Sequence, residues 1–229
     1  MPILAALVLA MLLAVVFGPQ WWVHRVMRQH GYERPDFPGT GGELARHLLD
    51  LAGLADVKVE PTAHGDHYDP DARAVRLLPE HHDGRSVAAV AVAAHEVAHA
   101  LQHARGEHAF ALRCALARYI PWIDRIATAV LVLAPVVFIV VKAPLLFALQ
   151  MVAVFGLLAM DIVVHLVTLP VELDASFGKA LPVLVTGRYL APADVPAARS
   201  VLRAAAWTYV AGALATLLNV ARLFRAFRF

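Results

Sequence analysis

Residues 86–108, SVAAVAVAAHEVAHALQHARGEH, predict the central element of this protein. It is rich in alanine and valine and contains neither glycine nor proline before Gly106. Alanine has the highest helix propensity, whereas glycine and proline interrupt helices. The stretch therefore predicts one long helix that ends near Gly106. In its middle, this apolar helix carries three ionisable residues, His95, Glu96 and His99.

These three residues form the pattern H-E-x-x-H, which is typical of zinc-dependent hydrolases. Residues four positions apart lie on the same face of a helix, so His95 and His99 can bind one tetrahedral Zn²⁺ at about 2.0–2.1 Å. Zinc lowers the pKa of a bound water toward about 7, and Glu96 lies where its carboxylate can accept the proton. The alternative is a chance match, which the apolar surroundings disfavour because unpaired charge is costly there.

A catalytic zinc site uses three protein ligands and leaves a fourth position for water. An astacin-like extension needs glycine and histidine where this chain has Gln102 and Arg105, so that class is excluded. His103 lies eight residues, or about 12 Å along the helix axis, from His95, too far to share one ion. The candidate for the third ligand is Glu172, in the later segment LPVELDASFGKAL.

The composition indicates a membrane protein. Of the 229 residues, 60% are hydrophobic and 17% are charged, and the mean hydropathy is +0.63. Soluble domains are about half apolar and about a quarter charged. The net charge of +2 arises from scattered residues, so no nucleic-acid partner is expected. Cys114 is the only cysteine, which excludes an intramolecular disulfide and a cysteine-built zinc site.

Long runs without charge predict about four membrane-spanning helices, since one crossing takes about 20 apolar residues. Residues 1–23 are expected to form an uncleaved N-terminal anchor, because their positive charge follows the apolar run rather than preceding it. Residues 126–170, interrupted at Lys142 and Pro144, are expected to form a transmembrane hairpin. Residues 204–229 are expected to form a C-terminal transmembrane helix and a basic tail.

Two polar regions remain, 24–125 with the H-E-x-x-H helix and 171–203 with Glu172. An even number of crossings places both on the same side of the membrane. More lysine and arginine flank the spans on that side than on the other, which favours the cytoplasm and an inner-membrane protein. The predicted fold class is a mainly α membrane protein with about four transmembrane helices and a small α+β zincin-like catalytic domain.

Other polar residues leave alternatives open. Asp161 and His165, four apart within the third span, form either a functional intramembrane pair or a mutually satisfied one. Residues 67–69 (His, Tyr, Asp) either shape a turn or orient substrate. The predicted strand 74–78 is expected to offer an exposed edge for an extended peptide. His81 is expected at the solvated surface.

Three separated motifs resemble one known family. HEVAHALQ (95–102), GDHYDPDARAVRL (65–77) and TLPVELDAS (168–176) together resemble the YugP-type neutral zinc metallopeptidases of bacteria. The order of the elements is also similar to the HtpX and CAAX-prenyl protease group. The resemblance implies a gluzincin-like endopeptidase with His95, His99 and Glu172 as zinc ligands and Glu96 as catalytic base. The HtpX-like pattern E-x-x-A-D is not reproduced around Asp174, so a supporting role for that residue stays open.

The expected function is zinc-dependent hydrolysis of peptide bonds in a protein or peptide substrate at the lipid bilayer. The alternative is a membrane scaffold that keeps the metal site without catalysis. A metal transporter is disfavoured, because its ligands are expected near the bilayer midplane rather than in a polar region.

Overall fold

The computed structural model describes residues 2–208; within them, the side chains of most of residues 2–16 and of a few residues in later helices are not described. Most of the predicted C-terminal span and tail (204–229) therefore lies outside the described residues. The side chains of Asp161 and His165 also lie outside them, so both alternatives for that pair stay predictions.

The described residues divide into two compact units. One contains the residues up to Gln20 together with Leu112–Thr168, and the other contains Trp21–Ala111 and Leu169–Thr208. Every residue that the sequence assigns to the zinc site belongs to the second unit, which we call the site unit.

The elements are mostly helical. Thr40 and Glu43 form a capping box at the start of the second helix, in which each side chain binds the other residue's main-chain N–H. In chain order, the first elements are helix α1 (Pro2–His30), α2 (Gly41–Leu51), strands β1 (Lys58–Pro61), β2 (His67–Asp69) and β3 (Ala74–Leu77), then α3 (Pro79–His82) and α4 (Val87–Ala104).

The later elements are all helical. They are α5 (His108–Ala117), α6 (Ile120–Val136), a π-helical turn (Val137–Val141), α7 (Pro144–Leu173), a second π-helical segment (Asp174–Ala180), α8 (Leu181–Thr186), a 3₁₀ turn (Pro192–Asp194) and α9 (residues 195–208).

The three short strands form one sheet in the order β1-β3-β2. Strand β1 runs parallel to β3, and β2 runs antiparallel to it, so that Val75 pairs with both Val59 and Tyr68. The expectation that residues 74–78 offer an exposed edge is wrong, because β3 is the central strand. Residues 67–69, interpreted as part of a turn, form edge strand β2, and the turn follows at residues 70–73.

Helix α4 forms the core of the site unit. All residues from Val87 to Ala100 are buried, with α2, the sheet and the second π-helical segment packed around the helix. The contact with α2 is close at Gly41, where an added Cβ would meet the carbonyl oxygens of His81 and Ala89. Glycine at this position therefore allows the two helix backbones to approach each other.

By length and composition, one helical stretch among the described residues qualifies as a membrane span, His108–Val141, with a mean hydropathy of 2.2 in its most apolar window. It begins well before residue 126, where the predicted hairpin starts. A shorter apolar helical segment, Pro144–Leu157, follows it. Lys142 lies between the two with a positive φ of 54°. The other predicted spans stay predictions.

Candidate metal centre

Helix α4 presents the predicted catalytic residues from a rigid, buried position. Its first turn is capped by Ser86, whose side chain accepts a hydrogen bond from the N–H of Ala89 at 3.0 Å. The helix ends just before Gly106, which has the positive φ of 63° that favours glycine. Between these signals, His95 and His99 are 3% and 2% exposed. Both imidazoles are thus held by core packing.

The carboxylate of Glu172 meets both histidines. Glu172 lies in the last turn of α7 and is 1% exposed. Its Oε2 atom lies 3.2 Å from the Nε2 atom of His95 and 3.2 Å from that of His99. The two imidazole rings are 4.7 Å apart, edge to face. The structure therefore brings together the three residues predicted as ligands, with one ligand atom from each within 4.8 Å of the others.

The hydrogen bonds of the two Nδ1 atoms show that the Nε2 atoms of His95 and His99 face the centre of the site. The Nδ1 atom of His95 lies 3.1 Å from the hydroxyl oxygen of Ser176, and that hydroxyl donates to the carbonyl of Leu202. The Nδ1 atom of His99 lies 2.9 Å from the amide oxygen of Gln102. Each Nδ1 therefore donates its hydrogen to an oxygen, and a neutral imidazole then keeps a lone pair on Nε2.

Lone pairs from three buried ligand atoms consequently converge on one point. Two Nε2 atoms and a carboxylate oxygen at 3.2 Å repel one another unless a cation or a proton lies between them. Two histidines and one glutamate are also a ligand set of catalytic zinc sites. The residues present therefore fit a zinc ion.

A chain of polar contacts continues outward from His99. The side-chain nitrogen of Gln102 donates to the carbonyl of Val171 at 3.0 Å and to the carboxylate of Asp174 at 2.8 Å. Lys179 pairs with both Asp174 and Glu107. Burial raises the pKa of Asp174, but the hydrogen bonds from Lys179 and Gln102 outweigh it and hold the pKa below its usual range. Asp174 thus contacts Gln102, which in turn contacts His99, and a supporting role for Asp174 stays a prediction.

The residues of the GDHYDP motif lie beside this helix rather than among the ligand atoms. The hydroxyl of Tyr68 lies 2.9 Å from Nδ1 of His103, one turn beyond His99. The ring of Phe110 contacts the rings of Tyr68, His99 and His103. His67 bonds through Nδ1 to the carbonyl of Gly65.

One contact in this region differs from the sequence-based expectation. His81 is buried rather than solvated, and its Nδ1 atom lies 2.8 Å from the carboxylate of Asp66, which also accepts the main-chain N–H of Leu78.

The sequence analysis did not identify Gln102 and Ser176 as residues that contact the histidines of the site. Gln102 follows His99 by three residues, and Ser176 follows Glu172 by four. The first spacing is a sequence signal for the contact with His99, whereas no local pattern indicates the contact of Ser176 with His95.

Comparison with known proteins identifies the family. The model of a family described as "Putative neutral zinc metallopeptidase" matches residues 5–228. The chain belongs to this family. Among curated proteins, "Putative membrane protease YugP" of Bacillus subtilis (strain 168) is 38% identical over 187 residues, which cover 80% of this chain and 78% of the relative. No solved structure matches the chain.

Membership of this zinc metallopeptidase family confirms the resemblance seen in the three sequence motifs. It also identifies zinc as the cofactor, for which His95, His99 and Glu172 form a group that can hold the ion.

Proposed function

We propose that the chain is a zinc-dependent endopeptidase that cleaves peptide bonds in protein substrates at the membrane. The observation that carries the proposal is the buried convergence of His95, His99 and Glu172, with Glu96 on the same helix. Family membership supports the reaction class. The name of the Bacillus subtilis relative, a putative membrane protease, supports the location.

In this proposal, His95 and His99 would hold the metal through Nε2 and Glu172 would hold it through a carboxylate oxygen. When bound, zinc would supply Lewis-acid polarisation of the scissile carbonyl and would lower the pKa of water. Glu96 is the general base: one of its carboxylate oxygens accepts a proton from the attacking water. The same carboxyl group then donates that proton to the leaving amine nitrogen as the C–N bond breaks. Burial of Glu96, 6% exposed, limits competition from bulk water.

The proposed membrane topology has four spans, in residues 1–23, in the hairpin 126–170 and in 204–229. Large apolar side chains of the hairpin are exposed, among them Val140 at 72%, Leu145 at 73% and Val152 at 69%. Large apolar side chains exposed in this way are costly in water and favourable in lipid. The span His108–Val141 supports one of the four crossings by length and composition.

The domain boundaries follow from the same topology. The catalytic region 24–125 and the polar region 171–203 are proposed to lie on one side of the membrane, joined through the hairpin. Their main parts fold as the single site unit, which supports a hairpin that leaves and returns on the same side. The distribution of lysine and arginine favours the cytoplasmic side of the inner membrane.

The competing function is a scaffold that binds zinc without catalysis. Purified full-length protein in detergent, loaded with zinc, is incubated with casein and with a detergent-solubilised membrane protein. The proposal expects cleavage that stops on removal of zinc by a chelator and returns when zinc is added back. Full zinc occupancy without cleavage of either substrate would favour the scaffold and overturn the proposal.

A further inference from the structure

We propose that Gln102 is a positioning residue that fixes two of the three metal ligands at once. Its amide selects the tautomer of His99 and ties that imidazole to the main chain beside Glu172. This inference rests on the proposed function for the role of the metal, and it concerns a residue for which the sequence motif assigns no role.

The amide of Gln102 has a single orientation that satisfies its surroundings. One end of it lies 3.0 Å from the carbonyl oxygen of Val171 and 2.8 Å from a carboxylate oxygen of Asp174. The carbonyl oxygen of Val171 only accepts hydrogen bonds, so this end must be the NH₂ group, whose two hydrogens face Val171 and Asp174. The oxygen of the Gln102 amide must therefore point the other way.

That oxygen faces His99, 2.9 Å from Nδ1. Because an amide oxygen only accepts, the hydrogen of the neutral imidazole must be on Nδ1. The lone pair is then on Nε2, the atom that faces Glu172. A flipped amide would place its oxygen against the carbonyl oxygen of Val171 in a buried site. Gln102 is 1% exposed, so no bulk water is available to compensate such a mismatch.

The same amide also holds the main chain next to Glu172. Val171 and Gln102 are 69 residues apart, and their contact joins α4 to the last turn of α7. Movement of α7 relative to α4 would shift the Glu172 carboxylate away from both imidazoles, and the Gln102–Val171 hydrogen bond opposes that movement. Gln102 therefore acts on one ligand through its oxygen and on another through its nitrogen.

Ser176 gives a useful comparison at His95. Its hydroxyl accepts from Nδ1 of His95 while it donates to the carbonyl of Leu202. A hydroxyl hydrogen can rotate, so a serine constrains its partner's tautomer less strictly than an amide whose two ends differ. The tautomer of His99 is consequently the more firmly imposed of the two.

The test measures zinc affinity of the purified full-length protein in detergent by competition with a chromophoric chelator. Gln102→Met keeps the length of the side chain but removes both the acceptor and the donors. We expect its zinc affinity to fall about 10- to 100-fold, the loss typical when a residue that orients a metal ligand is removed. Gln102→Glu keeps an acceptor for His99 but places a carboxylate oxygen against the carbonyl oxygen of Val171, so its zinc affinity is expected to fall as well.

A matched control distinguishes the site from general loss of a buried amide. Gln150 also donates to a main-chain carbonyl, that of Val130 at 2.6 Å, but it belongs to the other unit. Gln150→Met is expected to leave zinc affinity unchanged. The absorption spectrum of bound Co²⁺ gives a second readout, because altered ligand geometry changes the spectrum, whereas a purely structural defect lowers only thermal stability.

The outcomes separate this inference from the proposed function. Wild-type zinc affinity and an unchanged Co²⁺ spectrum in Gln102→Met would overturn the role of Gln102 alone. If Gln102→Met does not fold, Gln102→Glu is measured instead. Wild-type zinc affinity and a wild-type Co²⁺ spectrum in Gln102→Glu would likewise overturn the positioning role of Gln102. If His99→Ala binds zinc as tightly as wild type, the proposed metal site itself is wrong.

Discussion

The Nε2 atom of His95 lies 3.2 Å from the Oε2 atom of Glu172, although 77 positions separate the two residues in sequence. The same carboxylate oxygen is equally close to His99. A local motif on α4 and a distant carboxylate at the end of α7 therefore share one buried point. Such a contact between remote segments depends on the whole site unit, so changes far from the metal ligands can also disturb it.

Removing the charge of Glu172 should weaken metal binding. Glu172→Gln preserves size but replaces an anionic ligand with a neutral amide. We expect zinc affinity to fall by more than about 100-fold, beyond the loss typical of residues that only orient ligands. Chelator competition measures it, with Glu80→Gln, an exposed position in α3, as the control. Equal affinity in Glu172→Gln and wild type would exclude Glu172 as a ligand.

Ser176→Ala should affect the site more mildly. The substitution removes the hydroxyl that accepts from His95 and donates to the Leu202 carbonyl. We expect a loss of roughly 10-fold in zinc affinity and about 1 kcal/mol in the free energy of unfolding. Ser200→Ala, the same change in α9, serves as the control for both measurements. No change in zinc affinity for Ser176→Ala would show that His95 needs no such support.

Gly41→Ala should destabilise the site unit through a steric clash. An added Cβ would collide with the carbonyl oxygen of His81 and lie 2.8 Å from that of Ala89, both main-chain atoms that cannot rotate away. We expect a loss of about 1–3 kcal/mol in the free energy of unfolding, measured by denaturant titration. Gly156→Ala in α7 is the matched control, because its Cβ would meet nothing within 4 Å. Equal stability of both variants would contradict the close packing of α2 on α4.

The carboxylate of Asp69 should make stability depend on pH. The N–H of Ala72 lowers the pKa of Asp69, burial opposes this, and the N–H of Asp71 and the guanidinium of Arg76 lower it further. A depressed folded-state pKa contributes stability above the unfolded value, about 3.9, and this stability is lost as pH falls through the folded value.

Asp69→Asn should therefore be less stable than wild type at pH 7, by about 0.5–1 kcal/mol after solvent screening. The difference should disappear below the folded pKa, where wild-type Asp69 is itself neutral. Thermal unfolding of the two proteins across the acid range measures this. A difference that stays constant down to pH 2 would indicate a cause other than the charge of Asp69.

Local signals predicted the central helix well. The run rich in alanine and valine after Ser86 and the helix-ending Gly106 predicted one long helix, and the structure has a helix at Val87–Ala104. The H-E-x-x-H spacing placed both histidines on one face, because helical geometry is the same in any context. Glu172 could be proposed from the need for a third ligand and from the family resemblance, but its distance from the histidines needed the fold.

Pairing between remote segments could not be predicted in the same way. Residues 67–69 were interpreted as part of a turn but form the edge strand β2, and nothing local shows that the predicted strand at residues 74–78 lies at the centre of the sheet. Buried His81 contacts Asp66, 15 residues earlier in the chain, and the hydropathy pattern of the sequence does not reveal this contact. The second hydrogen-bond partners of Gln102 and Ser176 lie in segments that only tertiary packing brings near.

The central claim is that Glu96 performs proton transfer at a metal site built by His95, His99 and Glu172. The most direct measurement pairs zinc content with proteolysis in wild type and in Glu96→Gln, both as purified full-length protein. We predict about one zinc per chain in both proteins, with cleavage by the variant reduced by about 10²–10⁴-fold, as expected for loss of a general base. Undiminished proteolysis by Glu96→Gln with zinc still bound would contradict the account.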